Sequence, residues 1–345
     1  MKKTGASLVR FALEQMGVRH TFGIPGVHTT EIYDELNNSN QIKPVLVSHE
    51  AGAAFMADAV SRTSDNIGVT LVVPAAGLTH AMSGIGEAYL DGIAMLVLSG
   101  GTRDDIKEGY QLHQLNQQEL MAPLTRATFR VNTHEEVIPT LYKAYEIAVT
   151  GEPGPVYVEL PVNIQLLKGE VSAMPEFVPP KVFGAVVSDA QIDAAADMMV
   201  AADHPSIFVG WGAKKARESM IEIADLLGAP VCTSLQGLGV FPHEHTLFAG
   251  MGFGPSSVPA AENAFAGSDA MLAVGVRFAE IATGSFGSIP PENLVHIDIN
   301  AKALSANYPA KIGIEGDACD VMPRLAKAIA TRVSGPRNRQ DLKAK

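Results

Sequence analysis

Glu50 is the residue of this chain whose surroundings best suit acid–base chemistry. It follows the apolar run Val45-Leu46-Val47 and opens an alanine-rich, helix-forming segment. The run predicts a buried strand, and a carboxylate at the carboxyl end of such a strand lies where open α/β sheets bind ligands. The adjacent Ala51 and Gly52 offer no charge to pair with, so burial would favour proton exchange with a ligand. The alternative is a glutamate that only caps a helix.

Four loops are expected to meet at this edge, because the carboxyl ends of parallel strands point the same way. They run over 25–28, 48–50, 74–80 and 100–103. Glycines would let three of them approach a flat ligand closely, and none matches a dinucleotide-binding or P-loop fingerprint. One carboxylate with two histidines, His28 and His80, would suit a planar heterocycle that accepts a proton on a ring nitrogen.

The composition indicates a two-domain protein with large buried cores. The chain has 345 residues, of which 47% are hydrophobic and 18% charged, and domains usually span about 100–200 residues. A net charge of −11 argues against nucleic acid or an anionic membrane as a partner. No apolar run approaches the roughly 20 residues that a membrane span needs. Cys232 and Cys319 lack metal-ligand spacing, so reduced thiols and a cytoplasmic protein are expected.

Short apolar runs alternate with helical segments, which predicts an α/β fold with two doubly wound parallel-sheet domains. Strands are expected at 20–24, 45–48, 69–73, 95–99 and 156–159, and again at 206–209, 230–233, 271–274, 294–299 and 311–315. The expected organisation is a first domain over 1–167, a proline-containing linker over 168–187, a second domain over 188–333 and a polar tail over 334–345.

Several ordered segments resemble one enzyme superfamily, the thiamine-diphosphate-dependent acetohydroxyacid synthases and 2-oxoacid decarboxylases, which includes benzaldehyde lyase. The segments are TFGIPGVH, HEAGAAFMADAVSR, GLTHAMSGI, GEPGPVYVELPVNIQ and GVRFAEIATG followed by VHIDIN. The resemblance covers essentially the whole chain. It implies a pyrimidine-binding domain followed by a Rossmann-like central domain.

The resemblance assigns Glu50 the role of the catalytic glutamate that hydrogen-bonds the aminopyrimidine ring of the coenzyme and promotes proton transfer. It places cofactor-binding residues in the two glycine-containing loops on either side. These residues are Pro25, Gly26, Gly77, Thr79 and His80. His80 stands where many relatives carry an asparagine, and it could still hydrogen-bond the ring.

Two further histidines are candidate catalytic residues on the same resemblance. His28 follows the Pro-Gly turn, where benzaldehyde lyase also places an active-site histidine, and would move protons at the substrate carbonyl. A solvated loop histidine is the alternative. His113 falls where acetohydroxyacid synthases carry a glutamine, although a shift of one residue would put Gln114 there. His49 is expected to be structural.

The magnesium–diphosphate site of the superfamily, a Gly-Asp-Gly run followed by an asparagine pair, has no match here, since Gly316-Asp317 is followed by Ala318. We therefore expect one subunit of a split decarboxylase or carboligase, with Mg²⁺ held by a diphosphate-binding partner subunit in an α2β2-type heteromer. A truncated or degenerate piece is the alternative. A 2-oxoacid such as pyruvate is the expected substrate.

The second domain resembles the FAD-binding central domain of acetohydroxyacid synthases. Arg277 and Asp298 match FAD-associated positions, but the run 250–254 departs from the usual Gly-Met-His-Gly. A purely structural domain is expected, with bound FAD as the alternative. A catalytically silent regulatory or nucleotide-binding protein is the competing function, whereas an NAD-linked dehydrogenase would need fingerprint glycines that the chain does not have.

Overall fold

The computed structural model describes residues 1–180, 186–255 and 257–337. The chain divides into two units, Met1–Val182 and Phe183–Lys345. Most of the expected tail, from residue 338 onward, lies outside the described residues, as do 181–185 of the expected linker. In the described part of the chain, no helix has the length and apolar character needed to cross a membrane.

Unit 1 alternates strands and helices as the sequence predicts. Its strands are β1 Lys2–Thr4, β2 His20–Gly23, β3 Lys43–Leu46, β4 Gly68–Val72, β5 Met95–Gly101, β6 Ala127–Arg130, β7 Pro155–Pro161 and β8 Lys168–Glu170. Its helices are α1 Gly5–Gln15, α2 Thr30–Asn37, α3 Glu50–Thr63, α4 Ala76–Asp91, α5 Gln117–Met121, α6 Val137–Val149 and α7 Val162–Leu166.

Six strands of unit 1 form a parallel sheet in the order β3-β2-β4-β5-β7-β6. The chain goes outward from β2 to β3 and then returns to β4, so the strand order reverses between β2 and β4. A crevice at the carboxyl ends of such a pair is where open α/β sheets bind ligands. The expectation that the strand before Glu50 is buried is wrong, because β3 is an edge strand and Leu46 is 72% exposed.

The first part of the expected linker is ordered against unit 1. Strand β8 pairs antiparallel with β1, and the Val171 amide donates to the Met1 carbonyl at 2.8 Å. The Phe177 ring packs against the rings of Tyr142 and Tyr145 at 5.0 and 4.9 Å. Residues 168–177 therefore extend the packing of unit 1, and the domain boundaries expected from the sequence stay a prediction.

Unit 2 is a second α/β unit. Its strands are β9 Pro205–Val209, β10 Val231–Thr233, β11 Phe248–Met251, β12 Ala270–Val274, β13 Asn293–Asp298 and β14 Ile312–Glu315, and its helices are α8 Asp189–Ala201, α9 Arg217–Leu227, α10 Pro259–Phe265 and α11 Ala318–Ala330. All six strands are parallel, in the order β11-β10-β9-β12-β13-β14. This is the strand order of dinucleotide-binding folds. The predicted fold class, two parallel-sheet α/β domains, is confirmed.

Close packing between α3 and α4 brings the two helix starts of unit 1 together. Gly84 of α4 faces the backbone of α3 so tightly that an added Cβ would lie 2.7 Å from the Ala54 Cβ. Small residues at a helix contact let two backbones approach closely. The side chains of Glu50, the first residue of α3, and His80, the fifth residue of α4, consequently lie side by side.

Candidate active site

Glu50 is the first residue of α3, and its side chain is only 11% exposed. The side-chain cap of this helix comes from His49, whose Nδ1 accepts a hydrogen bond from the Ala51 amide at 3.1 Å. The Glu50 carboxylate is therefore not needed to cap the helix, although the helix dipole favours a negative charge in this first turn. The expectation that His49 is structural agrees with this capping contact.

The Glu50 carboxylate has a partner that its neighbours in sequence do not reveal. Its Oε2 lies 3.1 Å from Nδ1 of His80. Its Oε1 faces Gly77, where an added Cβ would lie 3.4 Å away. The expectation that Glu50 has little charge to pair with is thus corrected, since an imidazole can carry a positive charge.

Tyr33 on α2 lies near Glu50 and is not among the site residues predicted from the sequence. Its hydroxyl donates a hydrogen bond to the Leu71 carbonyl at 2.8 Å. Burial raises the pKa of Tyr33, and the negative charge of Glu50 raises it further. The tyrosine is therefore neutral at physiological pH and adds no negative charge beside the carboxylate.

The loops after β2 and β4 meet at the reversal point of the sheet. An added Cβ at Gly26 would lie 2.5 Å from Val73, and one at Gly77 would lie 2.7 Å from the same side chain. The turn at Gly26 is held by Thr29, whose hydroxyl accepts from the Gly26 amide at 3.2 Å. A cavity of about 320 Å³ opens beside this turn and is lined by Pro25, Thr30, Tyr33, Asp34, Asn37, Pro44 and Leu46.

The start of α4 holds a strained residue next to the expected cofactor-binding turn. Ala75 has φ 52° and ψ −96°, a region that L-residues with a Cβ avoid. Its amide donates to Oε1 of the buried Gln117 at 3.2 Å. Thr79, one turn further, is exposed, and its hydroxyl donates to the Ala76 carbonyl at 3.0 Å.

His28 and His113 form a second polar group at the same edge. Their ring centroids are 5.4 Å apart, and His28 is 6% exposed. Burial lowers the pKa of His28, and a positive charge on His113 would lower it further. Among the described residues, the buried Nδ1 atoms of both rings have no hydrogen-bond partner. The alternative of a solvated His28 does not hold in this structure.

Two buried glutamines, which sequence reasoning did not select, position these loops. Gln117 Nε2 donates to the Gly100 carbonyl at 3.1 Å, so this residue joins the end of β5 to the loop after β4. Gln165 Nε2 donates to the His28 carbonyl at 2.8 Å. Gln165 could have been selected from the sequence, because it ends the segment GEPGPVYVELPVNIQ, which carries part of the family resemblance.

The predicted site residues thus fall into two groups at one sheet edge. One holds Glu50, Gly77 and His80, and the other holds His28 and His113. Gln114, the alternative to His113, accepts from the Gln111 amide at 3.1 Å and is exposed. Within the described ranges, no group of three His, Cys, Asp or Glu residues could hold a metal ion.

In unit 2 the corresponding reversal point lies between β9 and β12, and backbone fills it. The Gly212 amide donates to the Gly275 carbonyl at 3.2 Å. An added Cβ at Gly210 would lie 2.1 Å from the same carbonyl oxygen. Arg277 follows β12 and Asp298 ends β13, so both stand at the carboxyl edge of this sheet.

Two family models match the chain. Residues 3–120 match the thiamine pyrophosphate enzyme N-terminal TPP-binding domain, and residues 192–325 match the thiamine pyrophosphate enzyme central domain. The first match includes Glu50, His28, Gly77, His80 and His113.

Similar curated proteins are acetolactate synthase large subunits. The chain is 34% identical over 334 residues to a probable large subunit from Methanocaldococcus jannaschii, covering 94% of this chain and 56% of that protein. It is 34% identical over 329 residues to the large subunit of Haemophilus influenzae, covering 93% and 57%. It is 33% identical over 333 residues to the isozyme 3 large subunit of Escherichia coli, covering 95% and 58%. The chain spans somewhat more than half the length of these relatives.

Proposed function

The chain belongs to the thiamine pyrophosphate enzyme family, and we propose that it forms the pyrimidine-binding half of a coenzyme site in an acetolactate-synthase-like enzyme. The observation that carries this proposal is the buried Glu50 carboxylate at the reversal point of the first sheet. His49 caps the helix in place of Glu50, and Oε1 of Glu50 faces the backbone of Gly77, where an added Cβ would lie 3.4 Å from this oxygen.

The residues at this edge fit an aminopyrimidine ring. A flat ring that exchanges a proton needs a carboxylate within hydrogen-bond distance and backbone that approaches its face. Gly77 places no side chain against Glu50 Oε1, and Val73, which packs closely at both Gly26 and Gly77, offers an apolar surface. Pro25 and Thr79 are proposed to complete the lining of this pocket.

Thiamine diphosphate, when bound, supplies a carbon nucleophile that adds to the carbonyl group of a 2-oxoacid. Glu50 would exchange a proton with the ring nitrogen of the bound coenzyme through Oε1, and its burial would keep water from competing for that hydrogen bond. His28 and His113 hold and move a proton at the substrate carbonyl oxygen, which would satisfy their Nδ1 atoms. A 2-oxoacid such as pyruvate fits these roles in decarboxylation as well as in carboligation.

We further propose that Mg²⁺ and the diphosphate group are bound by a partner subunit in an α2β2-type heteromer. The matched domains are the N-terminal and central ones, and the curated relatives are nearly twice as long as the matched region. A reading frame of about 180–200 residues next to this one, a single-domain length, would encode the partner. The alternative is one longer polypeptide that contains both halves.

The central domain is proposed to be structural. The reversal point of its sheet, where dinucleotides bind in this fold, is filled by contact between Gly212 and Gly275. The positions Arg277 and Asp298 leave FAD as the alternative.

The partner proposal is tested by assaying acetolactate or acetaldehyde formation from pyruvate with Mg²⁺ and thiamine diphosphate. This chain alone is expected to show no turnover, and addition of the partner is expected to restore it. Turnover by this chain alone would overturn the partner proposal. Absence of turnover with the partner for every 2-oxoacid tried would count against the enzymatic function itself.

A further inference from the structure

The two oxygens of the Glu50 carboxylate have different surroundings. Oε2 lies 3.1 Å from His80 Nδ1, whereas Oε1 faces Gly77, where an added Cβ would lie 3.4 Å away. A carboxylate can rotate about its terminal bond and exchange its oxygens unless one of them is held. The His80 contact breaks this equivalence and leaves Oε1 as the oxygen available to a ligand.

His80 is itself held by a residue with a fixed position. Its ring stacks on the ring of His49 with centroids 4.9 Å apart and an angle of 27° between the planes. The His49 ring is fixed because its Nδ1 accepts the Ala51 amide at 3.1 Å. His49, which caps α3, therefore also supports the His80 imidazole. That imidazole contacts the carboxylate of Glu50, the first residue of the same helix.

The contact between Nδ1 and Oε2 needs one proton. Either Nδ1 carries it and donates to an ionised carboxylate, or the carboxyl group carries it and donates to a neutral imidazole. A second proton on the imidazole would add a positive charge beside the carboxylate and favour its ionised form. The other titratable groups around the pair are His49, which stacks on His80, and Tyr33, which is neutral.

We propose that His80 is a positioning residue for Glu50: it holds Oε2 and thereby presents Oε1 to the ligand. This inference rests on the proposed function of Glu50. It differs from the role that the sequence predicts for His80, which is direct contact with the pyrimidine ring.

The contact can be tested on this chain without coenzyme or partner. With carboxyl-¹³C glutamate, the Glu50 resonance is assigned by its loss in Glu50→Gln and compared at one pH between the wild type, His80→Ala and His80→Asn. We expect the Glu50 signal to move in His80→Ala, which removes the contact at Oε2, and to stay close to its wild-type position in His80→Asn. A Glu50 signal in His80→Ala that coincides with the wild-type signal would overturn the proposal.

The consequence for catalysis is tested on the complete enzyme with two substitutions of different kinds. His80→Ala removes the donor and should lower kcat on the order of ten- to a hundred-fold, the effect of losing a hydrogen bond to a charged group, with little change in substrate KM. His80→Asn places an amide nitrogen near the position of Nδ1 and should recover most of the loss. Ser83→Ala, on the exposed face of the next turn of α4, is the matched control.

His49→Asn separates stacking from capping. Asparagine is a good helix cap, so α3 keeps its start while His80 loses the ring beneath it. We expect the kcat of His49→Asn to lie between the kcat of His80→Ala and the kcat of His80→Asn. Wild-type kcat in His80→Ala would overturn the positioning role, whereas full activity in Glu50→Gln would instead refute the proposed function and leave the ¹³C comparison as an independent result.

Discussion

At the scale of single residues, some polar atoms of the candidate site have a hydrogen-bond partner within the chain and others do not. Glu50 Oε2 is satisfied by His80, and Tyr33 by the Leu71 carbonyl. The Nδ1 atoms of His28 and His113 have no partner among the described residues. An unsatisfied buried polar group costs about 1–3 kcal/mol. We infer that these two nitrogens bind an oxygen atom of a ligand.

The pKa of His28 offers a direct test of this local arrangement. Burial is the larger cause that lowers it below the ordinary value of 6.5, and His113 is the second. In His113→Gln the pKa of His28, measured by NMR titration of the ring, should rise but stay below 6.5. A pKa of His28 above 6.5 in the wild-type chain would contradict the structure.

The same lowered pKa has a consequence for stability. Between pH 6.5 and the lower pKa of the folded state, the unfolded chain binds more protons at His28 than the folded chain does. The free energy of unfolding therefore falls as the pH is lowered through this range. Urea denaturation should show a smaller pH dependence there for His28→Asn than for the wild type, and equal slopes would contradict the account.

The sequence predicts which residues form the candidate site, but it does not predict their contacts. Glu50 and the glycine-containing loops follow from residue type and from the rule that strand ends share an edge. The partner of Glu50 is His80, which is distant in sequence and arrives only through the packing of α4 on α3 at Gly84. Local charge patterns carry no information about such a contact.

At the scale of elements, two glycines near Glu50 make a matched pair for substitution. Gly77→Ala would place a Cβ 2.7 Å from Val73 and 3.4 Å from Glu50 Oε1. We expect a loss of about 1–3 kcal/mol in stability from overpacking and weaker coenzyme binding. Gly52→Ala, in α3 with nothing within 4 Å of the new Cβ, should instead stabilise the chain by up to about 1 kcal/mol.

The comparison is made by urea denaturation of both variants and by thiamine diphosphate titration of the complete enzyme. A Gly77→Ala variant that binds the coenzyme as tightly as Gly52→Ala would contradict the proposed role of Gly77 beside Glu50.

The start of α4 allows a second prediction at this scale. Ala75 adopts φ 52° and ψ −96°, a conformation that costs about 1–3 kcal/mol for a residue with a Cβ. Ala75→Gly should therefore stabilise the chain by about 1 kcal/mol after the greater entropy of unfolded glycine is subtracted. Ala76→Gly, at the next position and inside the helix, should destabilise it. Stabilisation by Ala76→Gly but not by Ala75→Gly would contradict this reading.

The elements that were not predicted from the sequence have residue patterns that are weak or atypical for a strand or a helix. Strand β6 and strand β11 are half-buried edge strands of four residues, and β11 contains Ala and Gly, which disfavour strands. Helix α11 contains Pro323, which interrupts a helical pattern, yet the helix continues to Ala330. The interior strands β4, β5 and β7 were predicted because they are buried on both faces and therefore apolar.

At the scale of the whole chain, the two units have different strand orders and, in our account, different roles. Unit 1 reverses its strand order between β2 and β4, where the candidate active site lies, and unit 2 reverses between β9 and β12. In the part of the chain that the structure describes, the first reversal point carries the buried Glu50 carboxylate beside Gly77. The second is filled by the Gly212–Gly275 contact.

This difference predicts that the protein holds no flavin. Purified chain, alone and in complex with its partner, should show no absorbance band near 450 nm, and the supernatant of denatured protein should show no flavin fluorescence. Stoichiometric FAD in the purified protein would contradict a structural role for unit 2 and would point to Arg277 and Asp298 as the residues to test next.

The central claim is that the Glu50 carboxylate activates the coenzyme, and proton exchange at the reactive thiazolium carbon measures this before any substrate binds. The complete enzyme with bound thiamine diphosphate is mixed with D₂O, quenched in acid and analysed by proton NMR. We expect Glu50→Gln to slow the exchange on the order of 10²- to 10⁴-fold, the usual contribution of a positioned acid–base group, and Glu87→Gln, the same change on the exposed face of α4, to leave it unaltered. Exchange in Glu50→Gln at the wild-type rate, with coenzyme binding intact, would contradict the account.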